Sequence, residues 1–208
     1  MNIQIPTVWN SGWVEVIAGS MFSGKTEELI RRLKRADFAK QKVQVFKPLT
    51  DNRYSLNHVT SHSSQCLGAV PVENPEQILM LLEDNTRIVG IDETQFFSSS
   101  IVDICHRMAN RGLRVIVAGL DMDYLGAPFG PMPALMATAE FVTKMSAICT
   151  VCGNPASRSQ RRAQSGENSQ VLVGAEEIYE ARCRRCFEPP SSQQAIPRPE
   201  FRSPELGS

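Results

Sequence analysis

The 208-residue chain has no excess of either charge: 22 basic side chains face 22 acidic ones. That balance excludes the global basic field on which nonspecific nucleic-acid affinity depends, so any anion it binds is bound locally. Nor is there an apolar run near the roughly 20 residues that a membrane-spanning helix needs. The stretch "MNIQIPTVWNSGW" lacks a charged segment followed by an apolar stretch and a cleavage site, and the cytoplasm is the expected location. Histidine is limited to three residues, and none stands beside Cys149, Cys152, Cys183 or Cys186. What is present, a hydrophobic content of 42%, suffices for one substantial core and a smaller appended unit.

Between Val14 and about Ser146 short apolar runs alternate with longer segments of helical period. "WVEVIAG", "KVQVFKP", "RIVGID" and "LRVIVAGL" predict buried strands. "KTEELIRRLKRADFAK" predicts a helix with Leu29, Ile30, Leu33 and Ala36 on its buried face. "PEQILMLLED" predicts a helix opening on proline, and "SSSIVDICHRMANRG" one with a serine cap and a glycine stop. Thr50 to Cys66, rich in Ser, Asn and His, is expected to be a loop, and "FVTKMSAIC" a last strand leading into the cysteines. The alternation predicts an α/β fold over residues 1–146, a mostly parallel sheet with helices on both faces, and it is the loop motif at residues 19–26, not the alternation, that makes the expected fold P-loop NTPase-like. Residues 147–187 form a second unit too small to fold on apolar burial alone, and 188–208, proline-rich and aperiodic, are expected to be a disordered tail.

Gly19-Ser20-Met21-Phe22-Ser23-Gly24-Lys25-Thr26 matches G-x-x-x-x-G-K-[ST] between a predicted strand and a predicted helix. The glycines let successive N–H groups curl inward around a phosphate, and the helix N-terminus adds partial positive charge. Lys25 is expected to reach the β- and γ-phosphates of a bound triphosphate and Thr26 to ligand Mg²⁺. A second carboxylate for the metal is offered by Asp92, which ends a buried strand at the carboxyl edge of the sheet. Glu93 follows, expected to point the other way if the strand continues, and suited to deprotonate an attacking hydroxyl.

Cys149-x-x-Cys152 and Cys183-x-x-Cys186 have the spacing of a structural zinc ribbon, because two intervening residues let one turn present two sulfurs to a tetrahedral ion. A closed four-thiolate shell argues for a structural Zn²⁺ rather than a catalytic one. Cys105, in an apolar-periodic segment, reads as a small buried hydrophobe.

The combination of "SMFSGKT", "FKPLTDNRY", "IDETQFF", "VAGLDMDYLGAPFG" and "YEARCRRC" resembles the zinc-containing thymidine kinases of type II. The resemblance, covering Val14 to Phe187, implies transfer of the γ-phosphate of ATP to the 5′-hydroxyl of deoxythymidine. It also implies a homotetramer, Mg²⁺ as cofactor and the triphosphate of thymidine as feedback inhibitor. By position, Glu93 becomes the general base and Arg53 the neutraliser of phosphoryl charge. Asp51 becomes a carboxylate acting on magnesium through water, and Thr94 and Gln95 join Asp92 and Glu93 at the nucleotide. A lasso loop anchored by the zinc unit, containing Val171, Leu172, Val173, Gly174 and Ala175, would read the base through its backbone. Met21, Leu120, Tyr124, Phe129 and Tyr179 would line the pocket around the ring, with Ser159 contacting the base.

A second reading is a nucleic-acid-stimulated ATPase whose zinc ribbon is the binding module. Arg31, Arg32, Lys34 and Arg35 on the first helix, with Arg158, Arg161, Arg162, Arg182, Arg184 and Arg185 near the cysteines, favour it. Overall neutrality counts against it, and neither a nucleic-acid nor a membrane partner is expected.

Overall fold

The computed structural model describes residues 11–49, 58–60, 66–162 and 178–189. Strand β1 (Trp13–Gly19) turns into helix α1 (Lys25–Phe38) and returns as β2 (Val43–Pro48). Within the span expected to be a loop, β3 (His58–Thr60) and β4 (Cys66–Gly68) pair antiparallel, and β5 (Val70–Val72) follows. Next come α2 (Pro75–Leu81), β6 (Ile88–Ile91), a 3-10 turn at Thr94–Phe96 and α3 (Ser100–Asn110). The chain continues through β7 (Arg114–Gly119), α4 (Met132–Thr138) and β8 (Phe141–Met145). Four short strands complete it: β9 (Ala147–Ile148), β10 (Pro155–Ala156), β11 (Arg158–Arg161) and β12 (Tyr179–Arg182).

Six strands form one sheet in the order β5-β2-β6-β7-β1-β8, and every pairing in it is parallel. Such a sheet is covered on both faces, which is why β6 and β7 read as continuous apolar runs. On one face α1 packs Leu29, Ile30, Leu33 and Ala36 against Ile17, Ile116 and Ala118. On the other, Ile101, Ile104, Cys105 and Met108 of α3 and Met132 of α4 meet Val14, Val16, Val115 and Val117. Alternate residues of β1 thus go to opposite layers, as the period of a strand requires. Each large aliphatic side chain so buried contributes about 1.5–3 kcal/mol. Gly90 lets α1 lie close: a β-carbon there would stand 2.6 Å from Leu33 Cδ1.

A polar network joins that helix to the sheet. Buried Glu15 of β1 accepts from Trp13 Nε1 at 2.8 Å, Arg114 Nε at 2.6 Å and Arg32 Nη1 at 2.8 Å. Arg32 also donates to Glu28 Oε1 at 2.7 Å and to Thr143 Oγ1 of β8 at 2.9 Å. Desolvation by burial works to raise the Glu15 carboxyl, but its bonds from Arg114, Trp13 and Arg32 outweigh it and hold it below the ordinary range. α1 is therefore clamped at mid-length to β1, β7 and β8, which fixes the loop at its N-terminus.

Three local expectations are corrected. No serine side chain caps α3: after the extended Phe97 the chain turns at Ser98 and Ser99, so that Ser99 is already in helical conformation (φ −59°, ψ −20°) and the Ser98 and Ser99 carbonyls accept the N–H groups of Ile101 and Val102 instead. The strand over "FVTKMSAIC" is divided at Ser146: β8 joins the parallel sheet, whereas β9 pairs antiparallel with β10. The strand ending in "RIVGID" does not continue past Asp92, since Glu93 turns into the left-handed region (φ 50°) and opens the 3-10 turn. Asp51, Arg53, Val171, Leu172, Val173, Gly174, Ala175 and the tail beyond residue 189 lie outside the described residues.

Candidate active site

The loop between β1 and α1 begins at Gly19 (φ 154°), where a β-carbon would meet the Met145 carbonyl oxygen at 2.4 Å, and passes through Phe22 (φ 63°) to Gly24 (φ 81°). Gly24 is the N-cap of α1 and no side chain caps the helix, so its first-turn N–H groups face the loop as an anion site. Lys25 Nζ donates to the Ser20 carbonyl at 2.8 Å, folding the ammonium over the loop. Thr26 Oγ1 donates to Asp92 Oδ2 at 3.1 Å. Sixty-six positions separate these residues, and the sheet order brings them together because β6, β7 and β1 are neighbours with carboxyl ends at one edge. A hydroxyl beside a carboxylate is a hard oxygen donor set that suits Mg²⁺.

Asp92 Oδ1 accepts from the Glu93 N–H at 2.9 Å, which stabilises the left-handed turn at Glu93. Backbone strain in a non-glycine residue is concentrated at functional sites, where the surrounding structure over-determines it. Here part of the surroundings is Gln95. Its Nε2 donates to Glu93 Oε2 at 2.5 Å, and its Oε1 accepts from the Leu120 N–H at 3.0 Å. The amide is thereby fixed at both ends, in a side chain only 2% exposed. Thr94, fully buried, donates its hydroxyl to the Ile91 carbonyl at 3.2 Å.

Beside this edge lies a second cluster. Met21, Leu120, Phe129 and Tyr179 are buried together, with Phe96, Tyr124 and Ile178 packed against them. Phe96 and Phe129 meet edge to face, 5.6 Å between centroids. The segment "GLDMDYLGAPFG" presents three of these residues because Asp123 organises it: the carboxylate accepts from the N–H groups of Leu125 and Ala127, both at 2.9 Å. All five residues named from the resemblance as pocket lining are thus brought into one place. Phe96 and Ile178 were not anticipated; Phe96 lies in "IDETQFF", where two aromatics after a strand-ending acid pair were the available signal. Ser159 sits at the border of the cluster, and its Oγ accepts from the Met21 N–H at 3.0 Å.

The four sulfurs of Cys149, Cys152, Cys183 and Cys186 lie within 4.8 Å of one another, and Cys152 and Cys183 are 3.6 Å apart. Tetrahedral coordination at a zinc–sulfur distance near 2.3 Å requires sulfurs about 3.8 Å apart, so this set fits the ion. The Cys186 backbone N–H, ahead of the opposing effect of burial, draws the Cys183 thiol below its ordinary range, toward the thiolate a metal binds. Cys105 is instead fully buried and pushed up to about 12 by desolvation, an inert packing group.

Four of the arginines behind the second reading make contacts within the fold. Arg31 donates to Glu28 at 2.6 and 2.7 Å, and Arg182 to Glu180 at 2.5 Å. Arg158 lies over the Phe187 ring at 5.3 Å and Arg161 over Tyr124 at 5.2 Å. No helix among the described residues is long and apolar enough to cross a membrane.

Comparison with known proteins agrees with this arrangement. A family model described as thymidine kinase matches residues 12–187. A thymidine kinase of Rhodothermus sp. (strain ITI 518) is 56% identical over 197 residues, covering 93% of this chain and 91% of the relative. A thymidine kinase of Bdellovibrio bacteriovorus is 58% identical over 182 residues, covering 88% of each. A family model matched over residues 12–187 and two relatives at 56% and 58% identity over most of their length show that this chain belongs to the thymidine kinase family.

Proposed function

We propose that the chain transfers the γ-phosphoryl group of ATP to the 5′-hydroxyl of deoxythymidine, giving the nucleoside monophosphate. The observation that carries this is the shared edge: Thr26, Asp92 and Glu93 stand beside the cluster of Met21, Leu120, Phe129 and Tyr179, so a phosphate site and a ring-sized apolar site adjoin. The phosphate-loop backbone and Lys25 bind and orient the triphosphate. Thr26 and Asp92 would hold Mg²⁺, which when bound neutralises charge on the phosphates. Glu93 accepts the proton of the 5′-hydroxyl as the oxygen attacks in line, and Gln95 keeps that carboxylate aimed. The apolar pocket excludes water from the acceptor, so phosphoryl transfer to water is suppressed.

The remaining assignments rest on the resemblance. Arg53 neutralises the transferring group, Asp51 acts on magnesium through water, and Val171 to Ala175 read the base. Residues 1–146 are the ATP-binding domain and 147–187 the zinc-bearing lasso domain. The protein works in the cytoplasm as a homotetramer under feedback inhibition by the triphosphate of thymidine. One assay separates the two readings: ATP consumption with deoxythymidine alone and with single-stranded DNA alone. Turnover with the nucleoside only is expected; turnover with DNA only would overturn the kinase reading. Native mass spectrometry gives zinc content and subunit number together.

A further inference from the structure

The cysteine-bearing unit touches the phosphate loop itself. Ser20 Oγ donates to the Ala156 carbonyl at 3.1 Å, and the Met21 N–H donates to Ser159 Oγ at 3.0 Å. Both bonds are buried and span more than 130 positions of sequence. On the loop side they seize two consecutive residues, and the carbonyl of the first is the one that holds Lys25 Nζ. On the other side, Ala156 is fully buried among Ala147, Cys149, Ala181 and Cys183, directly against the cysteine cluster. Ser159 stands on β11, which pairs residue for residue with β12, the strand that runs into Cys183. Arg158 secures the same strand by donating to Met122 Sδ at 3.3 Å and by lying over Phe187.

We infer that Ser159 and the Ala156 carbonyl are positioning groups for the phosphate loop, so that the cysteine-bearing unit shapes the donor site as well as bordering the acceptor pocket. The physical reason is hydrogen-bond accounting. The Met21 N–H is buried and committed to Ser159 Oγ; deprived of that oxygen, the peptide between Ser20 and Met21 gains by rotating toward another acceptor. That rotation swings the Ser20 carbonyl, and Lys25 with it. The short loop has no slack to absorb such a rotation, because Gly19 is wedged against the Met145 carbonyl and Gly24 is committed to the helix start. A contact of Ser159 with the base alone would leave the donor site untouched.

This inference rests on the kinase reading, and the experiment separates the two. Magnesium-ADP is titrated calorimetrically into zinc-loaded protein without thymidine, for wild type, Ser159→Ala, Ser159→Thr and Ser20→Ala, and steady-state kinetics are measured on each. For Ser159→Ala, ADP affinity is expected to fall about tenfold, the cost of one unpaired buried N–H, with a matching rise in KM for ATP. Ser159→Thr, which keeps the hydroxyl, binds ADP within about twofold of wild type. Ser20→Ala, which loses only a donor to a carbonyl, weakens ADP binding about threefold. A folded Ser159→Ala that binds ADP like wild type, or a threonine variant as weak as alanine, overturns the inference. Should Ser159→Ala not fold, Ser20→Ala decides: the loss supports the inference, and wild-type affinity overturns it. Wild-type protein that binds no ADP would overturn the kinase reading itself.

Discussion

Gln95 holds the Glu93 carboxylate with one end of its amide and the Leu120 N–H with the other, so replacing it with methionine removes both bonds while keeping length and volume. The two losses fall on different quantities. A hydrogen bond to a charged group contributes about 1.5–3 kcal/mol, and if the bond aims the base in the transition state, kcat falls roughly 10- to 150-fold. Leaving the Leu120 N–H unpaired costs about 1–3 kcal/mol of stability, a fall in melting temperature of about 5 °C for a chain of this size. Neither bond is proposed to touch a substrate, so KM for ATP and for thymidine should each stay within about twofold. The assay is steady-state kinetics with each substrate varied in turn, alongside thermal denaturation. A folded variant with kcat within about twofold of wild type would remove Gln95 from the positioning of Glu93. A rise in KM for ATP at unchanged kcat would instead assign Gln95 to the nucleotide.

Glu93→Gln should lower kcat by about 10²- to 10⁴-fold while ADP binding survives; near wild-type turnover would mean that another group takes the proton. Gly90→Ala forces a β-carbon to 2.6 Å from Leu33 Cδ1, and overpacking should destabilise the protein by about 1–3 kcal/mol in denaturant melts. An undiminished midpoint would show that α1 can retreat from the sheet without cost. Glu15→Gln should lower the melting temperature at pH 7 by about 4–8 °C, because Arg114 loses a buried partner. The pH dependence follows from the lowered Glu15 carboxyl: its contribution is fully present above the unfolded value of 4.5 and is lost as pH falls through the lower folded one. Wild type should therefore lose stability on acidification below about pH 4.5 more steeply than Glu15→Gln, and parallel curves would remove Glu15 as the source.

The parallel sheet was legible because its strands are covered on both faces and so carry uninterrupted apolar runs, and the phosphate loop because its chemistry demands glycines at a fixed spacing. The four cysteines likewise combined spacing and residue type into a candidate site visible without a fold. The serine cap of α3 failed because capping depends on backbone conformation, which residue type does not specify: Ser99 is already helical, and the Ser98 and Ser100 hydroxyls bond to each other instead. Glu93 illustrates the same limit: its acidity is written in the sequence, but its left-handed turn exists because Asp92 Oδ1 accepts its N–H. The apolar cluster proposed to face the base was hidden for a different reason. Met21, Leu120, Phe129 and Tyr179 are 8–9% exposed, the burial of ordinary core residues, and periodicity cannot tell a packed wall from a binding wall. Met21 makes the point most sharply. In the motif it occupies a position with no required identity, yet its side chain enters the aromatic cluster while its N–H is held by Ser159. One residue thereby joins the glycine-rich loop, the apolar cluster and the cysteine-bearing unit, and a junction of three segments distant in sequence can be seen only once they are folded against one another.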